Sequence, residues 1–344
     1  MTEPVRLAVI GAGLIGKRHV EHITIEASAE LFAIVDPSDN SRIMAAEYGV
    51  KWFPTFAEMA AAGKPDGVVI STPNQVHVLN GLEAIAGGVP ALVEKPIAVD
   101  VPEAQKLVDA ADKAGIPLLV GHHRRHNPMI QKAKETIDAG RLGKIVSVHA
   151  MCWFFKPDDY FDVEWRRNKG AGPVFLNLIH DVDLLRYLCG DVVSVQAQES
   201  SDNRFYEVED TAVILLRFKS GVLGTINSSD TIVAPWSWEI TTGENPTYPR
   251  TDESCYFIGG THGSLTVPYL DLWHNKARRS WSEPIHRDRV PFQDQDPLTL
   301  QIRQFANVIR GKEPPLVSGR EGLQTLKVIE AVKQAAATGM AINV

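Results

Sequence analysis

Near its start the chain runs Leu7-Ala8-Val9-Ile10 and then Gly11-Ala12-Gly13-Leu14-Ile15-Gly16. A short, wholly apolar run reads as a strand covered on both faces, and the glycines after it mark a sharp turn into a helix. Each glycine has a physical reason. Gly11 makes the tight turn, Gly13 lets the backbone approach a pyrophosphate, and Gly16 allows helix and strand to pack closely. The free N–H groups and the dipole of the helix N-terminus, opening at Leu14 and Ile15, then face the anion. Asp36 lies 20 residues beyond Gly16, at the end of the apolar run Leu31-Phe32-Ala33-Ile34-Val35. A carboxylate there accepts hydrogen bonds from the adenosine ribose hydroxyls. It would repel a 2′-phosphate, so the expected cofactor is NAD, with NADP left open by Ser38 and Arg42 nearby.

Further apolar runs recur at Val68-Val69-Ile70, Ala91-Leu92-Val93 and Leu118-Leu119-Val120, with helical stretches between them; in 102–114, Leu107, Val108 and Ala111 share one face. This alternation predicts an α/β Rossmann domain over residues 1–121, a doubly wound parallel sheet. After Gly121 the pattern changes. A helix is expected over 127–140, then strands over 145–152, 192–199, 211–218, 222–229, 237–242, 254–259 and 264–267, with a strong helix over 173–188. Lys219-Ser220-Gly221 turns one hairpin. The expectation for 122–344 is an α+β domain with a large, mostly antiparallel open sheet. A last helix over 319–338, striped by Leu323, Leu326, Ile329 and Val332, is free to pack back on the first domain.

The 344 residues suit about two domains. With 35 basic against 42 acidic residues, net charge −7, the chain lacks the basic footprint of a nucleic-acid binder. No run of about 18 apolar residues is present, so no membrane span is expected. Met1-Thr2-Glu3-Pro4 does not open a basic-then-apolar leader, and Cys152, Cys189 and Cys255 are too sparse for a disulfide framework or a zinc pattern. A reducing, cytoplasmic location is expected.

Glu94-Lys95-Pro96 follows the fourth strand run, at the carboxyl end of a parallel strand, where open α/β sheets bind ligands. Lys95 reads either as a proton carrier or as a surface lysine ending a strand. Ser71-Thr72-Pro73-Asn74 ends the third run in the same way and could line the nicotinamide and its ribose, with His77 after it. Asn177, His180 and Asp183 are spaced three apart and share one helix face; a histidine there is either a proton relay or a structural residue held by a neighbouring acid. Trp153-Phe154-Phe155-Lys156-Pro157 and Tyr160 supply either ordinary core aromatics or a flat wall, a cation and a phenol for a polyol or acid. Trp236 and Trp238 are expected to alternate along one strand. His122, His123 and His126 have no acidic partner at helical spacing, so no metal site is expected.

Taken together, G-A-G-L-I-G, S-T-P-N-Q-V-H, E-K-P, G-H-H-R-R-H-N-P and the later W-R…G-A-G-P…H-D-V-D resemble the glucose–fructose oxidoreductase / inositol dehydrogenase / MocA-type family over the whole chain, in consistent order. The resemblance implies NAD(P)-linked oxidation or reduction at a secondary alcohol of a sugar, cyclitol, sugar acid or related diol. It also implies a homo-oligomer, dimer or tetramer, built through the second-domain sheet. It places Trp165-Arg166, Arg124, Glu94 and Lys95 at the cofactor. The family pattern D-x-x-x-H-x-x-D is matched at His180 and Asp183, but Leu176 stands where the first aspartate belongs, beside Asn177. Lys95 and His180 are therefore expected to handle the proton, with Asn177, Asp183, Lys156, Tyr160 and Arg124 on the substrate. A non-catalytic NAD-binding regulator and an NAD-cycling glycosidase are the alternatives on the same fold.

Overall fold

The structure is a computed structural model that describes residues 3–168 and 170–344. Met1 and Thr2, part of the leader reading above, lie outside the described residues.

In chain order the elements begin β1 (Val5–Ile10), α1 (Leu14–Ile25), β2 (Ala29–Val35), α2 (Asp39–Glu47), β3 (Lys51–Phe53) and α3 (Phe56–Ala62). They continue with β4 (Gly67–Ile70), α4 (His77–Ala86), β5 (Ala91–Val93), α5 (Val101–Ala114) and β6 (Leu118–Val120). Then come α6 (Pro128–Asp138), β7 (Ile145–Trp153), α7 (Pro173–Leu176), α8 (Leu178–Cys189), β8 (Val192–Ser200), β9 (Thr211–Phe218) and β10 (Leu223–Ser229). The chain ends with α9 (Trp238–Thr241), β11 (Tyr256–Gly260), β12 (Gly263–Val267), β13 (Asp271–His274), β14 (His286–Arg289), α10 (Pro297–Ile309), α11 (Gly319–Thr338) and β15 (Ile342–Asn343).

Two compact units form. One takes the chain up to His126 together with Gln295–Leu326; the other takes Asn127–Asp294 and Lys327–Val344. The expected division at residue 121 gave everything beyond it to the second domain, with only the last helix free to return. The structure returns α10 as well, and α11 passes from one unit into the other.

The first unit is a six-stranded sheet in the order β3-β2-β1-β4-β5-β6, parallel at every pairing. Strand order reverses direction at β1, between β2 and β4, and such a switch point opens a crevice at the carboxyl ends of the strands. Leu7, Val9, Val69, Leu92 and Leu119 bury one face of the sheet against Val20 and Ile23 of α1 and Ile302 and Phe305 of α10. Asp296 caps α10 by accepting from the N–H groups of Leu298 and Thr299. Two elements here escaped the sequence reading. β3 has three residues, and α10 follows a polar stretch with no apolar run ahead of it.

The second unit is a nine-stranded sheet, β14-β13-β12-β11-β7-β10-β9-β8-β15, antiparallel except between β7 and β10. Strict alternation on β9 explains its geometry: Ala212, Ile214, Leu216 and Phe218 are buried, while Val213, Leu215 and Arg217 are exposed. The inner face packs against Ile130 of α6, Ile179 and Val182 of α8, and Ile329 and Val332 of α11. The outer face leaves Val213, Leu215, Leu223 and Phe257 exposed.

Two expectations are corrected. The strand over 237–242 is instead the short helix α9, whose Trp238 is buried and stacked on Tyr256; the two tryptophans do not alternate along a strand, and Trp236 meets the edge of Trp153. The single helix over 173–188 is two helices joined at Asn177, whose carbonyl accepts from the His180 N–H, a tighter i to i+3 bond than the helical ladder makes.

Candidate active site

The glycine turn is built as its chemistry requires. Gly11 has φ +88°, and a Cβ there would lie 2.6 Å from the Thr72 nitrogen. A Cβ on Gly16 would lie 2.0 Å from the Gly11 carbonyl oxygen, whereas one on Gly13 would meet nothing within 4 Å. The first and third glycines are thus demanded by the protein itself. The second borders open space, the approach a pyrophosphate needs. Ser71 is buried, and its hydroxyl donates to the Gly11 carbonyl at 2.7 Å, so it braces the turn from β4. Leu14 is fully exposed at the start of α1, and Ile15 is half-buried.

A groove of about 810 Å³ runs along this edge. Gly11, Gly13, Asp36, Ser71, Thr72 and Pro73 line it from the residues expected at the cofactor. Pro54, Thr55 and Phe56 form a wall that the sequence reading missed, together with Asn80 and Glu83 on α4. The signal for that wall was present: Thr55 caps α3 by accepting from the Glu58 N–H, directly after Lys-Trp-Phe-Pro. Asp36 Oδ2 accepts from the Ala12 N–H at 2.9 Å and Oδ1 from the Ser38 N–H at 2.8 Å. Burial opposes ionisation, but these bonds outweigh it and hold Asp36 below the usual carboxylate range. A carboxylate has about four lone-pair directions, so these two bonds leave room for ribose hydroxyls. The open turn, the groove and this carboxylate fit a dinucleotide.

Asn74, His77, Glu94 and Lys95 do not line that groove. Asn74 opens a short 3₁₀ turn over Asn74–Val76. His77 is buried at the start of α4, with Nδ1 2.8 Å from the Pro96 carbonyl and Nε2 2.8 Å from the Thr72 carbonyl. It links the loop after β4 to the turn after β5; burial lowers its pKa despite those two acceptors. Glu94 is buried too: Oε1 lies 2.7 Å from His19 Nε2, and Oε2 accepts from the Lys95 N–H at 3.1 Å. His19, on α1, was not singled out from the sequence. Lys95 itself is half-buried, and its bond to Pro96 is cis. Arg124 is buried in the 3₁₀ turn His123–His126 that follows β6.

In the second unit His180 and Asp183 are buried three apart on α8, and half-buried Asn177 stands at its N-terminal end. Glu209 fixes the approach to this helix. Its Oε1 accepts from the Val174 N–H at 3.1 Å, its Oε2 lies 2.7 Å from Lys333 Nζ, and a Cβ on Gly172 would fall 2.0 Å from it. Lys156 is buried, with its ammonium 3.8 Å from Asp230 and 5.1 Å from the Tyr160 ring centroid. Burial lowers the Lys156 pKa against the pull of Asp230, and raises that of Asp230 against Lys156 and Arg204. Arg166 stacks over Tyr160 from 4.1 Å and donates to its carbonyl, while Trp165 is about half exposed. No group of three or more His, Cys, Asp or Glu side chains able to hold a metal is found among the described residues. No helix among them is long and apolar enough to cross a membrane.

Residues 5–122 match the model of the Gfo/Idh/MocA oxidoreductase family described as its NAD-binding Rossmann fold, and residues 134–344 match that of its C-terminal alpha/beta domain. The chain belongs to this family. It is an oxidoreductase whose N-terminal domain binds NAD. Among its relatives, the rhizopine catabolism protein MocA of Rhizobium meliloti is 34% identical over 185 residues, 54% of this chain and 57% of that protein. Myo-inositol 2-dehydrogenase of Thermotoga maritima is 27% identical over 342 residues, covering 96% and 95% of the two chains. The crystal structure of the WlbA dehydrogenase from Bordetella pertussis, in complex with NADH and UDP-GlcNAcA, aligns with a TM-score of 0.78 at 28% identity over 99% of each chain.

Proposed function

We propose that this oxidoreductase moves a hydride between the nicotinamide of NAD and a secondary alcohol of a sugar, cyclitol or sugar acid. The relatives named for inositol, 1,5-anhydro-D-fructose and D-apiose support that substrate class. The bound nicotinamide supplies the hydride chemistry; the protein supplies position and proton management. Lys95 accepts the hydroxyl proton, and His180 hands it on toward water. Asn177, Asp183, Lys156, Tyr160 and Arg124 orient the substrate, and Trp165 and Arg166 act at the cofactor. Leu176 cannot ionise, so the carboxylate step usual at that position passes to Lys95 and His180.

The observation that carries this reading is the place of Lys95. It stands at the carboxyl end of β5, one strand from β4, whose end braces the glycine turn. Its main chain is held by Glu94 on one side and, through Pro96, by His77 on the other. The outer sheet face with Val213, Leu215, Leu223 and Phe257 is proposed to join copies of the chain, since exposed apolar clusters of this kind mark association surfaces.

The test is to incubate the protein with NAD and, separately, myo-inositol, scyllo-inositol, D-apiose and D-glucuronate, and to follow NADH absorbance. Lys95→Ala should bind NAD as the wild type does and turn over none of the substrates the wild type accepts. Normal turnover by that variant would refute the role given to Lys95.

A further inference from the structure

Three buried features of the first unit meet at one turn. His19 is completely buried on α1, on the same helix face as Gly16, one turn beyond it. Its Nδ1 has no hydrogen-bond partner, so the carboxylate of Glu94, 2.7 Å from Nε2, is the ring's single bonded contact among the described residues. The second oxygen of Glu94 accepts from the main-chain N–H of Lys95. The far side of that carboxylate is closed by the backbone of Gly121, where a Cβ would fall 2.8 Å from it.

We propose that His19 and Glu94 are positioning residues for Lys95, tying its turn to the phosphate-binding helix and keeping a carboxylate against it. The inference rests on Lys95 being a working residue of the site, the reading proposed above.

The geometry argues for more than packing. A buried polar pair is costly unless its bonds are complete, and a leucine pair could fill the same volume. An ionised carboxylate accepts only, so His19 donates Nε2–H to it and Lys95 donates its main-chain N–H. Burial works against ionisation of Glu94. The His19 bond, with the charges of His19, His123 and Lys95, overcomes it and pulls the carboxyl down to about 2. The carboxylate therefore stays charged throughout the neutral range, one residue from the Lys95 ammonium. The charged and titratable groups facing this turn are His19 from α1, His77 from α4 and His123 from the turn after β6. Glu94 is the one anion among them. Its charge favours the protonated form of Lys95, and His19 fixes where that charge stands. His19 and Gly16 share one helix, so the same element that carries the glycine turn also holds the carboxylate beside Lys95.

The experiment reads Lys95 directly and needs no substrate. NAD-saturated wild type, Glu94→Gln and His19→Gln are acetylated with trace acetic anhydride across pH, and the rate at Lys95 is read by peptide mass spectrometry. Glu94→Gln keeps the shape and an acceptor for the Lys95 N–H but removes the charge. Its Lys95 titration midpoint should move to lower pH by about half a unit or more. His19→Gln leaves the carboxylate but loosens it, and should move the midpoint the same way by less. Titration curves for both variants that superimpose on the wild type would overturn the proposal. So would a midpoint shift that other surface lysines share, since that reports general unfolding. The labelling does not depend on Lys95 carrying the reaction's proton. An active Lys95→Ala beside a shifted midpoint refutes the reading of Lys95 alone, and an inactive Lys95→Ala beside an unshifted midpoint refutes this inference alone.

Discussion

The glycine turn makes a differential prediction, because two glycines three residues apart are required for opposite reasons. At Gly16 a methyl group would stand 2.0 Å from the Gly11 carbonyl oxygen, where real Cβ contacts do not come under 3.0 Å. Relief needs a displacement of about 1 Å between the start of α1 and the end of β1, and the obstructing atom is main chain, which has no rotamer to change. Overpacking of this kind costs about 1–3 kcal/mol. Alanine returns up to about 1 kcal/mol through helix propensity, leaving a net loss of about 1–2 kcal/mol. In a chain of this size that lowers Tm by roughly 1–3 °C. The same movement misaims the N–H groups at the phosphate, so NAD affinity should fall at least about tenfold, equivalent to about 1.4 kcal/mol. At Gly13 a methyl group meets no protein atom within 4 Å, and φ is −69°, comfortable for alanine. Gly13→Ala should melt at or slightly above the wild-type temperature, since it restricts the unfolded chain. Its methyl group still occupies the approach of the pyrophosphate, so NAD binding should weaken at least about tenfold. Calorimetric melting and fluorescence titration with NAD separate the two effects. Wild-type NAD affinity in Gly13→Ala would refute the placement of the pyrophosphate, and wild-type melting in Gly16→Ala would refute the rigidity of the contact.

Asp36→Ala removes the acceptor for the Ala12 N–H and for ribose hydroxyls; NAD affinity should drop about tenfold while NADP affinity changes little, as parallel titrations would show. Glu209→Ala strips the Val174 N–H and Lys333 of a buried partner; urea unfolding should show a loss of about 1–3 kcal/mol, and Glu209→Gln, which keeps an acceptor, a smaller one. Leu215→Glu puts a charge in the middle of the exposed apolar sheet face; light scattering should find a monomer with unchanged secondary structure where the wild type is a dimer or tetramer, and a monomeric wild type would refute the assembly.

Much of the first unit could be read from local pattern. Five of its six strands appear as apolar runs because a parallel strand is buried on both faces, and Leu7–Ile10 or Ala91–Val93 have no polar position to obscure them. The turn glycines and Asp36 are legible because their spacing follows directly from a strand, a helix and a second strand. β3 is not: three residues with Lys51 at their head carry no period. In the second unit β9 and β10 alternate cleanly, but Trp236 and Trp238 give the same two-residue period in a segment that forms a helical turn under Tyr256. The helix over 173–188 shows the limit of periodicity, since its apolar stripe runs on through Asn177 although the backbone breaks there.

By itself, then, the sequence determined the parallel nucleotide-binding sheet, the glycine turn, the family, and the position of Lys95 at a strand end. These follow from interactions within a few residues or from the repeat of a single element. Tertiary structure decided the rest. It returned Gln295–Leu326 to the first unit, raised Pro54–Phe56 into a wall of the groove, set Glu209 behind Gly172, and placed His19 against Glu94, 75 residues away. A buried hydrogen-bonded pair leaves no local mark. His19 looks like any polar residue on an amphipathic helix until the chain has closed the sheet and brought the end of β5 beneath it.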